Sequence, residues 1–569
     1  MSQRQKSFVR EAAIISVSNL LVKLIGVLYK IPLTNILGDG MGIFTAAYSI
    51  YAMLFMISTS GLPVAISRTV AASAEKGRRR ETRRILKMAV FVFGVVGIVC
   101  TLFLYLYAEP IAVWSEHADS VLAMKVIAPT LFFICVTSAF RGYFQGLRNM
   151  YPTAISQFIE AFLKMVIGLG ATIWARQMGY PVKVQAAFAI LGLTIGTACS
   201  MLFLILYKKY SKRDYVADKS SVTMRYRQIA KKLAIIALPV TITSSALYLS
   251  QFLDTLIIKK VLIATDVSEQ TAESLYAAYT ALAISISDLL PSTLVYPIAI
   301  SILPAVAGAL ALNRRRQANG YIIMSIRISG IIAIPSSVCL FILAKPCIAL
   351  IYGAKWGSPI TMPNGNTVMP IDIAAPALSI LAIGIFFISI LSTTTALLQA
   401  VGKPGYPMIS VGIGVLFLTI FEVCLTAVKP IGIFGAPAAS VICYMISLYF
   451  NMRFLRKTQN LKLSPKRLYL KPLACSLVTG VFCFASYRLL YRLFDNPDGR
   501  LASLVILLIT GVGSVLLYAF LLLLVKGITP NEVRLLPKGN YLCDLFIRKG
   551  WLKDSAGKYE QGNNGNSGA

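Results

Sequence analysis

The sequence predicts an all-α polytopic membrane protein with about 14 transmembrane helices, built as two six-helix repeat lobes around a central cavity, plus two C-terminal helices. Three observations predict this class. The 569 residues are 57% hydrophobic and only 14% charged, with a mean hydropathy of +0.72. Apolar stretches of about 20 residues, the length that crosses a bilayer as a helix, recur along the chain. Short motifs of the first half return in the same order in the second half.

Fourteen stretches are long and apolar enough to be predicted as spans. The N-terminal residues lead into the first stretch without a small-residue cleavage site, so we expect an uncleaved first span and not a signal peptide. The predicted spans are residues 8–31, 42–73, 85–108, 120–146, 152–176, 184–207, 233–258, 274–311, 321–344, 373–400, 405–428, 432–452, 472–491 and 501–525.

The basic residues are distributed unevenly among the loops between these spans. The chain has 55 Lys and Arg against 23 Asp and Glu, a formal net charge of +32. With the N-terminus inside, the inner segments hold 39 basic residues and the outer segments ten. Cytoplasmic loops are enriched in Lys and Arg, so we expect both termini to be cytoplasmic in a bacterial plasma membrane. The excess charge therefore indicates orientation and attraction to anionic membrane lipids, with no nucleic acid as partner.

Four motif pairs indicate an internal repeat. AAY and PVAIS of the second span return as AAY and PIAIS in the eighth. An Ala-Pro pair and the ending FQGLRNMYP of the fourth span return in the tenth as Ala-Pro and LQAVGKPGYP. Two parallel copies of six helices around a cavity are typical of alternating-access transporters. The predicted divisions are an N-terminal lobe (1–210), a linker (211–232), a C-terminal lobe (233–457), two further helices (458–526) and an amphipathic, then disordered, tail (527–569).

Polar residues of the first span lie on one helical face that includes Asn19, Lys23 and Lys30. A charge in mid-membrane is costly, so it usually faces a cavity or a partner. Lys30 is close enough to the outer end to snorkel, whereas Lys23 sits near the middle. We therefore expect Lys23 to contact a substrate, with pairing to a neighbouring helix as the alternative.

Other embedded charges and prolines are candidates for binding, coupling or gating. Arg68 follows Pro63 in the second span and is either an interfacial arginine or a ligand for the substrate. Glu160 and Lys164 are four residues apart and can pair with each other. Pro63 and its repeat partner Pro297 permit helix bending, which would open one side of the cavity.

Two acidic residues lie among the polar positions of the seventh and eighth spans. Asp254 follows a polar stripe in the seventh span, and Asp288 lies between Ser285 and Ser292 in the eighth. These carboxylates could neutralise the embedded cations, or take up a proton or a sodium ion. The sequence leaves these roles open, and with them the identity of a coupling ion.

The sequence disfavours catalytic and metal sites. The chain has one histidine, His117, and its ten cysteines form no C-x-x-C pair. A Walker A motif is missing from the sequence, so ATP is not expected to be hydrolysed by this chain. We therefore predict no catalytic residues, no metal site and no cofactor, and a transporter instead of an enzyme.

The run ILGDGMGIFTAAYSIYAMLFMISTSGLPVAISRTVAASAEKG (36–77) resembles the polysaccharide biosynthesis and export family, which includes stage V sporulation protein B-like proteins and MurJ-like lipid II flippases. This family belongs to the multidrug/oligosaccharidyl-lipid/polysaccharide exporter superfamily, and the segment PNEVRLLPKGNYLCDLFIRKGW is similar to its usual ending. The resemblance implies fourteen helices and flipping of undecaprenyl-diphosphate-linked sugars, such as lipid II, to the outer leaflet for peptidoglycan or polysaccharide assembly.

The resemblance also implies that Lys23, Lys30 and Arg68 hold the diphosphate, that the last two helices form a groove for the lipid tail, and that cell-wall synthesis enzymes are potential partners. Three other functions are considered. A multidrug or cation exporter of the same superfamily would need an acidic cavity, against which the cationic first span argues. A lipid-linked sugar polymerase would normally carry a large polar loop with carboxylates, but the outer connection 345–372 has one acidic residue. A scaffold without transport explains the embedded charges least well.

Overall fold

The computed structural model of the chain describes parts of residues 14–55 and then residues 61–114, 118–210, 224–353, 359–362, 366–461, 465–494, 500–525 and 527–528. Lys30, most of the predicted linker and the tail from residue 529 lie outside the described residues, as does the side chain of Asp254.

The described residues are almost entirely helical. The helices are α1 (Val17–Gly26), α2 (Gly61–Glu75), α3 (Arg79–Leu106), α4 (Ala108–Trp114), α5 (Val121–Gly146), α6 (Tyr151–Gln177), α7 (Val182–Tyr210), α8 (Tyr226–Ala264), α9 (Glu269–Ala277), α10 (Ser285–Ser287), α11 (Tyr296–Ala311), α12 (Arg315–Ile342), α13 (Ala344–Tyr352), α14 (Pro370–Val401), α15 (Gly405–Thr426), α16 (Gly435–Gln459), α17 (Pro465–Leu493) and α18 (Arg500–Leu524). Two strands, β1 (Ile360–Thr361) and β2 (Thr367–Val368), pair antiparallel in the predicted outer connection.

Within the described residues, eleven helices are long and apolar enough to cross a membrane. They correspond to the predicted third to sixth and eighth to fourteenth spans. The first and second spans are represented by the shorter helices α1 and α2, and the seventh by the 39-residue α8. The chain is therefore a helical multi-pass membrane protein, as predicted, while the total of fourteen spans stays a prediction.

The two halves of the chain pack with the same pattern of neighbours. In the first half α3 packs on α5, and both α5 and α6 pack on α7. In the second half α12 packs on α14, and both α14 and α15 pack on α16. These are the third-to-sixth and ninth-to-twelfth predicted spans, so the sequence repeat corresponds to two similarly built lobes.

Small and hydroxylated residues bring these helices together. A Cβ added at Gly192 of α7 would collide with the backbone of Gly168 in α6, so this contact requires glycine. Buried hydroxyls of Thr130 and Thr194 lie 2.9 Å apart between α5 and α7. Close backbone approach and hydroxyl pairing are the usual means of helix association in membranes, where the hydrophobic effect gives little preference.

The eighth span is the most irregular part of the described bundle. Between α9 and α11 it contains two π-helical segments, Ala278–Ile284 and Pro291–Val295, separated by the single turn α10. Proline lacks the N–H needed for a regular helix, which accounts for the irregularity at Pro291. π-helical turns within α-helices are frequent at functional sites.

The last two helices attach to the second lobe. α17 packs on both α12 and α18. At the end of α18, the carbonyl of Val525 accepts a hydrogen bond from Lys471 at 2.9 Å, and the carbonyl of Gly527 accepts one from Arg327 at 2.7 Å. These cations satisfy carbonyls at a helix end, which have no partner within the helix.

Candidate functional site

Lys23 lies where the two lobes meet. Its ammonium donates a hydrogen bond to the hydroxyl of Ser292 and lies 3.7 Å from Oδ2 of Asp288. One turn earlier, the side-chain amide of Asn19 donates to the backbone carbonyl of Ser292 at 3.5 Å. Because α1 belongs to the first lobe and Asp288 and Ser292 to the second, these contacts join the lobes.

The spacing of these residues explains the contact. Asn19 and Lys23 are four residues apart, so they share one face of α1. Asp288 and Ser292 are also four apart, and the Ser292 hydroxyl donates to the carbonyl of Asp288 at 2.5 Å. Both lie in the irregular stretch that begins after the first π-helical segment, where the eighth span departs from regular geometry.

The charged pair is partly exposed. The side chain of Lys23 is 35% exposed and that of Asp288 is 55% exposed. Since a charge that faces hydrocarbon is costly, these exposed groups indicate a polar space between the lobes. The expected alternative for Lys23, pairing with a neighbouring helix, is what the structure shows, and the pair still leaves part of the ammonium accessible.

A second set of contacts closes the bundle at the end of α2. Glu75 forms an ion pair with Arg148 at 2.9 Å, and both side chains are less than a fifth exposed. Arg148 also donates to the carbonyl of Ala305 in α11 at 3.5 Å. A Cβ at Gly308 would collide with Glu75 and Arg148, so the lobes approach closely only because this residue is glycine.

Arg68 also contributes to the contacts between the lobes at the end of α2, which we call the closed end. Its Nε donates to the backbone carbonyl of Ala400, the penultimate residue of α14, at 3.2 Å. Its guanidinium also packs against Gly402, which has a φ of +98° and ends that helix. Arg68 is therefore not an isolated interfacial arginine, because it reaches from the first lobe to the second.

The interior of the first lobe holds a separate ionic cluster. Arg141 in α5 donates to Glu160 of α6 at 2.9 Å, and also to the hydroxyls of Ser156 and Ser200 at 2.9 and 3.2 Å. The side chains of Arg141 and Glu160 are 14% and 21% exposed. The ion pair that Glu160 forms in the structure is with Nη2 of Arg141, whereas its pairing with Lys164 stays a prediction.

Lys164 lies one turn further along α6, next to two aromatic rings. Its ammonium is 5.2 Å from the ring centroids of both Tyr29 and Tyr48. Aromatic faces attract a cation electrostatically, which stabilises an ammonium in an apolar interior. Glu160 and Lys164 thus occupy the core of one lobe, away from the contact that Lys23 makes between the lobes.

The two prolines proposed as bending points have different surroundings. Pro63 is the third residue of α2, and its backbone lies against Gly142 of α5. Pro297 is the second residue of α11, the helix that directly follows the second π-helical segment. The eighth span is thus already irregular at its repeat-matched proline, whereas α2 is regular after Pro63.

Three residues of these contacts were not among the sequence candidates. These are Arg141, Arg148 and Glu75, which lie in no motif that marks them as site residues. The predicted span 120–146 already contained Arg141, so its place inside a helix was readable. The ion pair of Glu75 with Arg148 depends on how distant helices pack, so the sequence around either residue does not predict it. Within the described residues, no cluster of three His, Cys, Asp or Glu could hold a metal ion.

Comparison with known proteins gives matches along nearly the whole chain. The family model described as polysaccharide biosynthesis protein matches residues 8–310. Three proteins of Bacillus subtilis (strain 168) are similar to the chain. The uncharacterized membrane protein YabM is 26% identical, covering 95% of this chain and 96% of its own length. Stage V sporulation protein B is 24% identical (94% and 98%), and the lipid II flippase MurJ is 23% identical (90% and 94%).

Solved structures show the same fold. An outward-facing conformation of a multidrug resistance MATE family transporter of the MOP superfamily superposes with a TM-score of 0.63. The alignment covers 80% of this chain and 97% of that one, at 13% sequence identity. A second MATE structure, in a straight conformation, gives a TM-score of 0.64 at 16% identity, covering 81% and 97%. At these identities the likeness concerns the fold alone.

Proposed function

The chain belongs to the polysaccharide biosynthesis protein family, and from this premise we propose that it is a flippase for undecaprenyl-diphosphate-linked sugar precursors. It would carry lipid II or a related precursor from the inner to the outer leaflet of the bacterial plasma membrane. The observation that carries the proposal is the partly exposed Lys23 at the contact between the lobes. The similarity to the lipid II flippase MurJ over 90% of the chain supports the same class of substrate.

The chemistry of the substrate explains why a cation is needed there. A diphosphate-linked sugar cannot cross hydrocarbon unaided, because the desolvation of its charges is too costly. An ammonium between the lobes offers a replacement for water as a partner of the diphosphate. Organic cations, the substrates of the alternative exporter class, would be repelled by Lys23.

We propose that the diphosphate competes with Asp288 for Lys23. In the described state the ammonium is shared between Asp288 and Ser292, and this contact holds α1 against the eighth span. A bound diphosphate would take over the ammonium and repel the carboxylate, which loosens the contact between the lobes. Uptake of a proton or sodium ion by Asp288 would remove that repulsion, so Asp288 is the first candidate for coupling to an ion gradient.

Arg68 and Lys30 complete the proposed diphosphate site, with Asn19 beside Lys23. In the described state Arg68 is held by the carbonyl of Ala400 at the closed end. It would become available to the substrate only when that end, which we take to be cytoplasmic, opens. Loading from the inner leaflet would then involve Arg68, and closure would leave the diphosphate with Lys23. Gating by Pro63 and Pro297, and coupling roles for Asp254, Glu160 and Lys164, are secondary proposals.

The experiment that tests this function is depletion of the protein in a bacterial host that lacks its related flippases. Leaflet-specific detection of the lipid-linked precursor is then compared before and after depletion. We expect the precursor to accumulate in the inner leaflet. If the precursor still reaches the outer leaflet at the normal rate, the proposed function is wrong.

A further inference from the structure

A cavity of about 480 Å³ lies outside the contact between the lobes, between α14, α16 and α17. Two arginines of α16, Arg453 and Arg456, line it together with Tyr469 of α17. The rest of the lining is mostly apolar, with Phe386, Leu448 and Met452 among its members. The lining therefore combines two cations with a mostly apolar surface.

We propose that this cavity binds an anionic phospholipid, with the lipid phosphate at Arg453 and Arg456 and the first acyl carbons against the apolar side. The two arginines are three residues apart and thus lie on neighbouring positions of one helical face. Guanidinium groups bind phosphate oxygens through paired, charge-assisted hydrogen bonds. Basic pockets between transmembrane helices on the cytoplasmic side are known to bind anionic lipid headgroups.

The state of Arg456 supports a ligand at this place. Its Nε atom is buried and has no hydrogen-bond partner among the described residues. A buried donor without a partner costs free energy, which a phosphate oxygen in the cavity would recover. Arg453 and Arg456 also lie near the C-terminus of α16, whose dipole contributes only about −0.5 charge. Two full positive charges outweigh that contribution, so the cavity still attracts an anion.

The lining favours a phospholipid over a sugar headgroup. A sugar needs several polar partners, but beyond the two arginines the cavity offers mainly hydrocarbon and aromatic surface. The hydroxyl of Tyr469 already donates to the carbonyl of Ile326 at 3.4 Å. Tyr449, which is 60% exposed, is also part of the lining, and tyrosines are enriched where membrane proteins meet the bilayer interface. The location between α14, α16 and α17 also suits a lipid that enters from the bilayer.

A bound lipid here would link the last two helices to the second lobe. Tyr469 packs edge-on against Phe386 of α14, with ring centroids 5.4 Å apart, and its ring lies against Gly330 of α12. The lipid would extend this contact along α16. The inference does not depend on the transported substrate, so it can fail without affecting the proposed function.

The test is native mass spectrometry of the purified full-length protein with equal amounts of phosphatidylglycerol and phosphatidylcholine. We expect the wild-type protein to retain phosphatidylglycerol preferentially. The double variant Arg453→Gln/Arg456→Gln should bind it on the order of a hundredfold more weakly, because two charge-assisted contacts are lost. The matched control is Lys457→Gln, which removes a cation from the same turn but does not line the cavity. This control should keep the wild-type preference.

Three results would overturn the proposal. One is equal retention of both lipids by the wild-type protein. This result does not depend on whether any variant folds. Another is an unchanged preference in the double variant, or an equal loss of preference in the Lys457→Gln control. The third comes from a parallel sample with inorganic phosphate. Retention of phosphate by the protein, with no phosphatidylglycerol retained, would show that the cavity takes the free ion and not a lipid.

Discussion

The ammonium of Lys23 lies 3.7 Å from the carboxylate of Asp288, and this ion pair connects two helices that belong to different lobes. Ser292, one turn after Asp288, accepts a hydrogen bond from the same ammonium. A transporter that alternates between two states needs contacts between its lobes that can be made and broken. The pair is well suited to this because both partners are partly exposed and can exchange with a charged ligand.

The proposal that Lys23 binds the substrate predicts unequal effects of removing the two partners. Lys23→Met should weaken the binding of a short-chain isoprenyl diphosphate sugar on the order of tenfold, because one charge-assisted contact is lost. Asp288→Asn should keep or strengthen that binding, because a competing carboxylate is removed. Titration calorimetry of the purified proteins measures both. Equal losses in the two variants would indicate that the pair serves only to hold the lobes together.

The closed end predicts a cross-link that locks the protein. In a background without native cysteines, Glu75→Cys with Gly308→Cys should form a disulfide under oxidation. A Cβ at Gly308 points at Cγ of Glu75, where the sulfur of Glu75→Cys would lie, and Glu75→Cys also removes the carboxylate that this Cβ would otherwise meet. The locked protein should not transport precursor, and a reducing agent should restore transport. The matched control is Glu75→Cys alone. Transport at the normal rate by the fully cross-linked protein would show that this end does not need to open.

The position of Arg68 predicts an effect that depends on the state of the protein. Arg68→Gln should lower transport, because the variant loses the cation that we propose to receive the diphosphate at the cytoplasmic end. In the cross-linked closed state, substrate affinity should be the same with and without Arg68→Gln. In that state the guanidinium of Arg68 is bound to the carbonyl of Ala400 and does not contact the substrate. If Arg68→Gln clearly lowers the substrate affinity of the locked protein, Arg68 contacts the substrate in the closed state, together with Lys23, and this prediction is wrong.

The cluster of Arg141 and Glu160 predicts a loss of stability before any effect on transport. Glu160→Gln leaves the buried guanidinium without its carboxylate, and Arg141→Gln leaves the carboxylate alone. Breaking one side of a buried pair typically costs about 3 kcal/mol or more. The double variant Arg141→Gln/Glu160→Gln should melt at a higher temperature than either single variant. Thermal unfolding in detergent measures the order, and full additivity of the single effects would refute the pairing as the cause.

The fold was predictable because membrane spans and their repeat leave strong signals in the sequence. Hydropathy alone predicts the eleven long apolar helices, and the paired motifs PVAIS and PIAIS predict the two lobes. The irregular eighth span was predicted only as a proline bend at Pro297. Its two π-helical segments depend on hydrogen bonds that residue types do not determine.

The candidate site was predictable in part. The helical face of Asn19 and Lys23 and the polar positions around Asp288 were readable, because charges in apolar spans are rare. Their mutual contact was not predictable, since it depends on how the two lobes dock and joins residues that are 265 positions apart in the chain. For the same reason the spacing of Glu160 and Lys164 along one helix does not reveal that packing of α5 on α6 brings Arg141 to Glu160.

Flipping by the purified protein tests the central claim most directly. The full chain is reconstituted in liposomes with a fluorescent undecaprenyl-diphosphate sugar, and an external quencher reports the label that reaches the outer leaflet. We predict that the wild-type protein makes the protected label accessible to the quencher, whereas Lys23→Ala, reconstituted in the same amount, leaves it protected as empty liposomes do. Label that stays protected with the wild-type protein, or full flipping by Lys23→Ala, would contradict the account.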